Sequence, residues 1–258
     1  MKLNRLLCAA GALSLAATGC AYQGGSYGHS SWSAPTYSSY GAYSAPRYYG
    51  AGNVGGTRVE FEASYEDFID GEIIDGDVVG GTTYNQVEYK DAYKPGYRLS
   101  AGLARDFSPS TTVTAKGFYK SAEAEDPFVI GNNGGNVMGG FTDYESYGAE
   151  LGLRKYLGPQ IPSRMRPYLG ASVGAAYIDD IAITGVNAGP LNEGGWVPTA
   201  SGTAGLELPM SPSASFALES GIRWTGSQDR TAVASAAGFT DDGSKMSVPV
   251  TLRGSFRF

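Results

Sequence analysis

The chain ends in VPVTLRGSFRF, residues 248–258, where apolar and polar side chains alternate. Val250 and Leu252 fall on one face of an extended strand and Arg253 falls on the other, because side chains alternate with a period of two. Phe258 ends the run with an aromatic ring. The stretch predicts the last strand of a β-barrel, provided that the rest of the chain repeats the pattern.

Eight segments from Thr57 onward show this alternation. They are residues 57–68, 95–107, 111–125, 142–157, 164–180, 196–209, 215–227 and 245–258. Each is long enough for a tilted membrane strand, which needs about 9–11 residues. Long and short connections alternate along the chain, and each of the three short ones contains proline, a turn former. We predict that residues 57–258 form an all-β domain, an eight-stranded antiparallel up-and-down transmembrane barrel with the long loops on one rim and both ends of the domain on the other.

The first 19 residues predict export from the cytoplasm. Lys2 and Arg5 form a basic region, residues 6–17 are apolar, and small residues follow. This is the pattern of a secretory signal peptide, and it is too short to span a bilayer permanently.

Cys20 directly follows the predicted signal peptide. Residues 17–20, ATGC, resemble a lipoprotein processing box, in which the thiol becomes the acylated N-terminus. Cys8 leaves with the signal, so Cys20 would otherwise be an unpaired thiol in an oxidising compartment. We predict acylation of Cys20; ordinary cleavage after Ala21 is the alternative.

Residues 20–56 are of low complexity. SAPTY at 33–37 returns as SAPRY at 44–48, and aliphatic residues are scarce. Such a segment buries too little surface to offset its ordering entropy, so we predict a disordered tether whose tyrosines could contact glycan or another envelope protein. His29, the only histidine of the chain, lies in this segment.

The composition narrows the class of protein. The chain has 38 glycines, 18 tyrosines, only 17% charged residues and a formal net charge of −6. These values are typical of a glycine- and aromatic-rich β protein and argue against nucleic-acid binding, which needs clustered Lys and Arg. After the signal there is no apolar run of about 20 residues, so no transmembrane helix is expected.

Alternation alone does not say which face of the barrel is inside. A soluble lipocalin-like barrel would put the apolar face inside, whereas a membrane barrel puts the polar face inside. Glycines on the polar face, uncharged middles of the apolar faces and aromatic residues at the segment ends favour the membrane barrel. The predicted aromatic girdles comprise Phe68, Tyr97, Tyr119, Tyr144, Tyr147, Tyr177, Trp196 and Trp224 toward the long loops, and Phe107, Tyr156, Phe216, Phe256 and Phe258 toward the short turns.

The polar face of a membrane barrel would carry acidic and basic residues in nearly equal numbers. Charges crowded into a narrow lumen are costly unless they are paired, so we predict an interlocked ion-pair network that fills the interior. Its predicted members are Glu60, Glu62, Arg98, Lys116, Glu150, Arg154, Arg166, Glu207, Glu219, Arg223 and Arg253, with Glu66, Asp106, Lys120 and Arg257 on the same face.

Residues 57–258 resemble the barrels of the OmpA, OmpX and opacity-protein family. Phe256 and Phe258 resemble the terminal assembly signal of these barrels, which implies recognition by the barrel assembly machinery. The resemblance implies a bacterial outer-membrane location with a periplasmic N-terminus, extracellular long loops, and contacts with outer-membrane lipids and lipopolysaccharide. The peptidoglycan-binding domain that follows the barrel in OmpA itself is not expected here.

The predicted barrel contains no histidine. The enzymes among outer-membrane barrels resemble one another in that each needs a histidine as a base. We therefore predict no catalytic residues, no metal site and no cofactor, and we interpret the acidic stretch at 70–77 as a solvated loop with a hairpin turn at Asp75-Gly76. The leading hypothesis is a structural or surface-interaction barrel. A small passive pore or ligand conduit and a lipid-anchored accessory subunit of an envelope assembly stay open as alternatives.

Overall fold

The computed structural model of the chain describes residues 56–157, 165–185, 188–211, 213–240 and 243–258. The predicted signal peptide, Cys20, His29 and the predicted tether up to residue 55 lie outside the described residues. None of the helices in the described ranges has the length and apolar character needed to cross a membrane.

Strands dominate the described residues. In chain order they are β1 (Thr57–Asp70), β2 (Glu72–Asp75), β3 (Val78–Val79), β4 (Thr82–Tyr84), β5 (Gln86–Glu88), β6 (Gly96–Ser108), β7 (Thr111–Ala122), β8 (Phe128–Asn132), β9 (Asn136–Phe141), β10 (Tyr144–Tyr156), β11 (Arg166–Ile178), β12 (Ile181–Gly185), β13 (Gly189–Asn192), β14 (Gly195–Pro209), β15 (Ala214–Thr225) and β16 (Lys245–Arg257). Two short helices, α1 (Tyr89–Ala92) and α2 (Ala232–Ala237), lie in the long connections.

Eight long strands close into a barrel in the order β1-β16-β15-β14-β11-β10-β7-β6. Every neighbouring pair is antiparallel, and β1 closes the ring by pairing with both β16 and β6. Closure leaves no unpaired sheet edge, which a strand structure in lipid requires. The predicted eight-stranded antiparallel barrel is confirmed.

The apolar face of the barrel points outward. In β16, Val250 and Leu252 are 50% and 57% exposed, whereas Thr251 and Arg253 between them are 7% and 1% exposed. The same outward pattern holds around the ring for Phe61, Leu99, Val113, Leu151, Leu153, Leu169, Val173, Leu206, Leu218 and Ile222. The apolar belt and the inward charges are the arrangement of a membrane barrel, and they contradict the lipocalin-like alternative.

The predicted aromatic girdles are correct in part. Tyr147, Tyr177 and Trp196 form an outward cluster near the long loops, with ring centroids 5.3–6.2 Å apart. Phe107, Phe216, Phe256 and Phe258 are exposed at the opposite end.

Three residues assigned to the girdles turn inward instead. Phe68, Tyr144 and Tyr156 are 3%, 2% and 4% exposed. Each has the same parity as a buried polar lumen residue two positions away, Phe68 after Glu66, Tyr144 before Ser146 and Tyr156 after Arg154, and parity decides the face of a strand. Aromatic residues at strand ends therefore serve two purposes here, because the lumen itself is lined by rings at both ends.

The strands of the barrel approach closely at Gly221 in β15. A Cβ there would lie 2.0 Å from the backbone oxygen of Gly202 in β14, whereas a Cβ on Gly202 itself would meet nothing within 4 Å. We expect Gly221→Ala to lower the free energy of unfolding by about 1–3 kcal/mol, because the strands must shift to admit the methyl group.

The measurement is urea unfolding in lipid vesicles, with Gly202→Ala as the matched control on the neighbouring strand. Equal stability of the two variants would show that the close approach is not needed for the fold.

The long connections fold into a unit that we call the cap, formed by the described residues of 71–95, 123–143, 179–194 and 226–244. It contains a six-stranded sheet in the order β13-β12-β9-β8-β4-β3 and the pair β2-β5. Buried residues of the cap and of the barrel mouth belong to one hydrophobic cluster, in which Ile73, Ile130 and Leu191 are 0% exposed.

The prediction of a solvated loop at 70–77 was wrong. Ile73 and Ile74 are fully buried in the cluster just described, because two adjacent isoleucines are stabilised by packing under the other loops. The tight turn lies further along, at Gly80-Gly81, where φ values of +56° and +84° join β3 to β4. Residues with positive φ at both central positions suit a two-residue hairpin.

Candidate functional site: the barrel lumen and its cap

Alternation along the eight strands directs nearly all of the buried charge of the barrel into the lumen. All eleven residues of the predicted network lie on inward faces. Sequence reasoning missed Arg58 and Lys245, which are 6% and 1% exposed. Strand parity could have found both, since Arg58 stands two residues before Glu60 and Lys245 two before Ser247.

Glu60 is the centre of the lower half of the lumen, near the short turns. Its side chain is fully buried and accepts hydrogen bonds from two guanidinium groups, Arg154 Nη1 at 2.7 Å and Arg253 Nη1 at 3.2 Å. Arg58 Nε lies 3.8 Å from the same carboxylate. Strands β1, β10 and β16 are thereby joined across the lumen.

Arg253 links Glu60 to two further carboxylates. Its Nη2 lies 3.1 Å from Glu207 Oε2 and its Nε lies 3.0 Å from Glu219 Oε1. Glu207 also accepts a hydrogen bond of 2.7 Å from the Tyr156 hydroxyl. One guanidinium therefore contacts three carboxylates, from β1, β14 and β15.

Further ion pairs lie on both sides of Glu60, and we call the charged residues of this half of the lumen the lower cluster. Lys116 Nζ lies 2.8 Å from Glu62 Oε2. At the short-turn end Asp106 pairs with Arg58 at 3.1 Å and with Arg257 at 2.6 Å.

The upper half of the lumen holds a ring of four alternating charges. Arg98 lies 2.9 Å from Glu150 and 3.8 Å from Glu66, and Arg223 contacts Glu66 and lies 3.6 Å from Glu150. Lys120 adds a third cation, with its Nζ 2.8 Å from Glu66. We call these five residues the upper ring; they come from β1, β6, β7, β10 and β15.

Aromatic rings cover the upper ring on the side of the cap, and we call Phe68, Tyr89 and Tyr144 the roof. The Lys120 ammonium lies 4.1 Å from the ring centre of Phe68, and the Lys245 ammonium lies 4.3 Å from that of Tyr89. Phe68 and Tyr144 meet edge to face at 5.3 Å. The roof therefore joins barrel residues to the cap and offers cation–π contacts to two lysines.

Arg166 takes a different place from the other predicted members. Its guanidinium stacks over the Tyr156 ring at 4.1 Å and donates a hydrogen bond of 3.2 Å to the carbonyl of Pro109. It thus connects the β6–β7 turn to the side chains at the short-turn end of the lumen.

Arg230 fastens the cap from within. The guanidinium donates to the Asn192 side chain and to the backbone carbonyls of Ile73 and Thr240. The hydroxyl of Thr240 in turn donates to Asp77 at 3.2 Å. Three of the four long connections therefore meet at one buried side chain.

Replacing Arg230 with methionine should loosen the cap and leave the barrel closed, because the side chain contacts no barrel strand in these hydrogen bonds. The measurement is limited proteolysis of the protein in vesicles, which should cut the cap of Arg230→Met at least tenfold faster than that of the unchanged protein. Lys90→Met, on the cap surface, is the control. Equal cleavage of all three would contradict the fastening role.

The outer surface of the cap is acidic. Its exposed carboxylates include Asp75, Asp91, Glu123, Asp126, Asp143, Asp180, Glu193 and Asp229. Lys90 is exposed beside Glu88 at 2.6 Å, and the hydrogen bond to Glu88 raises the pKa of Lys90. An acidic surface of this kind favours cationic groups over phosphate-rich ones.

Paired charges from facing walls meet across the lumen in both clusters. An eight-stranded barrel is just wide enough for side chains to fill, and here the two ionic clusters lie one above the other beneath the roof. Within the described ranges no group of three or more His, Cys, Asp or Glu is placed to hold a metal ion.

The closed ring of eight strands, the apolar belt and the ionic lumen define the class: an eight-stranded outer-membrane β-barrel. No protein-family model matches the sequence, and no curated protein matches it either.

Among solved structures the chain is similar to Neisserial surface protein A, with 10% identity over 79% of this chain and 97% of that chain and a TM-score of 0.45. It is similar to the outer membrane protein AlkL, with 20% identity, 86% and 97% coverage and a TM-score of 0.45. It is also similar to the outer membrane protein OprG from Pseudomonas aeruginosa, with 14% identity, 80% and 96% coverage and a TM-score of 0.43.

Proposed function

We propose that the protein is a non-enzymatic outer-membrane barrel that displays its cap at the cell surface for contact with other molecules. The observation that carries the proposal is that the long connections form a folded unit with a buried core, joined to the barrel mouth by one hydrophobic cluster. Loops on a rigid scaffold are the usual place for binding surfaces.

The charge distribution supports contact rather than catalysis. Each carboxylate of the lower cluster has a basic partner, so two neighbours such as Glu60 and Glu62 are used for pairing rather than left as an acid and base. The cap has eight exposed carboxylates on its outer surface, where a partner can reach them.

The proposed orientation places the short turns in the periplasm and the cap outside the cell, as in bacterial barrels with short periplasmic turns. In this orientation Tyr147, Tyr177 and Trp196 lie at the outer membrane–water interface, where amphipathic rings are favoured, and contact lipid or lipopolysaccharide. Phe256 and Phe258, which are 49% and 82% exposed, are accessible to the assembly machinery. Acylation of Cys20 would add a lipid anchor, and the tether would offer a second contact for envelope protein or glycan.

Single cysteines test the orientation. Ser235→Cys lies on the exposed face of α2 in the cap, and Ser211→Cys lies in an exposed short turn. A membrane-impermeant maleimide added to intact cells should label position 235 and leave position 211 unlabelled, with the unchanged protein showing the background from Cys20. Labelling at position 211 alone would reverse the orientation and refute the display of the cap.

Photo-crosslinking tests the contact role. A crosslinking residue at Val129, exposed on the cap, should give discrete adducts in intact envelopes, whereas the same residue at Leu151 on the apolar belt should give lipid adducts. The Val129 adducts should weaken when Arg230→Met loosens the cap. Lipid adducts alone at both positions would contradict a contact surface.

One observation favours the second candidate, a small passive pore. Ser172, Ser201 and Thr203 face the lumen from β11 and β14 and are only half-buried, so this wall leaves more room than the charged wall opposite. The conductance measurement that separates the two candidates closes the Discussion.

A further inference from the structure

The upper ring carries an excess of positive charge. Among the described residues, the ion pairs of Arg98, Lys120 and Arg223 involve two carboxylates, Glu66 and Glu150. Lys116 lies across from Glu150 in the β7–β10 register, but its ammonium pairs with Glu62. Ser64, Phe118, Thr199 and Ser201, which also face inward here, are hydroxyl-bearing or apolar. A buried cation without a counter-charge is unfavourable, so this level of the lumen favours one further negative charge.

Hydrogen-bond donors in the upper ring also lack acceptors. All three guanidinium nitrogens of Arg98 are buried without a hydrogen bond, although Nη2 lies 2.9 Å from Glu150, because the angles are unfavourable. The Nε of Arg223, 3.6 Å from Glu150, and the hydroxyl of Thr199 are buried without a hydrogen bond as well. One acceptor of the ring, Glu66 Oε2, also makes no hydrogen bond, and the Lys120 ammonium faces it at 2.8 Å. Buried donors in proteins are nearly always satisfied, which indicates that an acceptor belongs among these groups.

The wall beside Arg223 offers room for such an acceptor. Ser201 lies directly across from Arg223 in the β14–β15 register, and it is half-buried. Its hydroxyl lies 2.7 Å from that of Ser172, and when Ser172 donates this hydrogen bond the proton of Ser201 is free to turn toward a ligand. The neighbouring Gly221 contributes no side chain to this wall.

We propose that the upper ring binds one small monovalent inorganic anion, held between the guanidinium groups of Arg98 and Arg223 and the hydroxyls of Thr199 and Ser201. One negative charge balances the three cations against the two carboxylates. A small ion suits a lumen filled by side chains, and hydroxyl and guanidinium donors together replace its hydration shell. The site goes beyond the proposed display of the cap and does not depend on it.

Chloride is the probe. In detergent-solubilised full-length protein at constant ionic strength, with gluconate as the replacing anion, the ³⁵Cl resonance should broaden in proportion to protein concentration. Bromide should reverse the broadening by competition. In equilibrium unfolding, chloride at ten times its dissociation constant should raise the folded-to-unfolded ratio about elevenfold, because only the folded state holds the site.

Two variants and one control locate the ion. Arg98→Gln should remove the broadening, and Thr199→Val, which keeps the shape and removes one donor, should weaken it several-fold. Arg257→Gln, at the short-turn end of the lumen where Asp106 is the partner, should leave it unchanged. Absence of broadening in the unchanged protein, or equal broadening in Arg98→Gln, would overturn the proposal and imply that the excess charge is removed by loss of a proton from the ring.

Discussion

Replacing Arg253 with methionine is expected to lower the free energy of unfolding by about 3–5 kcal/mol. The side chain is 1% exposed and lies between Glu60, Glu207 and Glu219 at 3.0–3.2 Å. Methionine preserves most of the volume, so the loss comes from three carboxylates that share too few cations. The measurement is equilibrium urea unfolding in lipid vesicles.

Arg257→Met is the matched control for this prediction. Arg257 is the next inward arginine on the same strand, its side chain is 28% exposed, and its ion pair among the described residues is with Asp106. Partly exposed pairs contribute about 1 kcal/mol or less, so the control should lose far less stability. Similar losses in both variants would mean that the buried cluster adds nothing beyond ordinary pairing.

Phe68→Ala should cost about 3–5 kcal/mol and separate the cap from the barrel mouth. The ring is 3% exposed and meets Tyr89, Tyr93 and Tyr144 at centroid distances of 5.3–6.1 Å. It also lies 4.1 Å from the Lys120 ammonium, so its loss removes a cation–π contact along with the packing. The variant should unfold at lower urea and expose the cap to protease.

The control for Phe68→Ala is Phe61→Ala. Phe61 is on the same strand with the opposite parity and is 54% exposed on the apolar belt. Its loss should weaken contact with lipid and leave the cap intact. A cap that resists protease equally in both variants would contradict the role of Phe68 as the joint between cap and barrel.

Strand parity explains how much of the fold the sequence could predict. The register of a membrane strand is strongly specified, because a shift by one residue would place Arg253 in lipid and Leu252 in the lumen. The eight strands therefore follow from alternation, and the inward direction of the charges follows once the apolar face is assigned to lipid. The same rule, applied to the strand ends, would have placed Phe68 and Tyr156 inside.

The cap could not be predicted in the same way. Its strands are only two to six residues long, and they pair with strands from other connections, as β4 does with β8 and β12 does with β9. Pairing of this kind depends on where the barrel holds the loop ends and not on any local period. The one available signal was Ile73-Ile74 within an acidic stretch, since adjacent isoleucines are poorly suited to a solvated loop.

The sequence likewise could not predict which charged residues pair with each other inside the lumen. Parity shows that Arg98 and Glu150 face inward, but their distance of 2.9 Å depends on the stagger of strands β6 to β10 around the ring. Arg166 and Arg253 both face inward, yet Arg166 stacks on Tyr156 whereas Arg253 forms the ion pair with Glu207.

Planar-bilayer conductance of the purified protein tests the closed lumen most directly. The unchanged barrel should give no steady openings, because two ionic clusters and an aromatic roof lie across the path of ions. Arg253→Met should give openings at the same protein concentration, since it removes the cation that ties Glu60, Glu207 and Glu219 together. Steady, large openings in the unchanged protein would contradict the closed lumen and favour the pore.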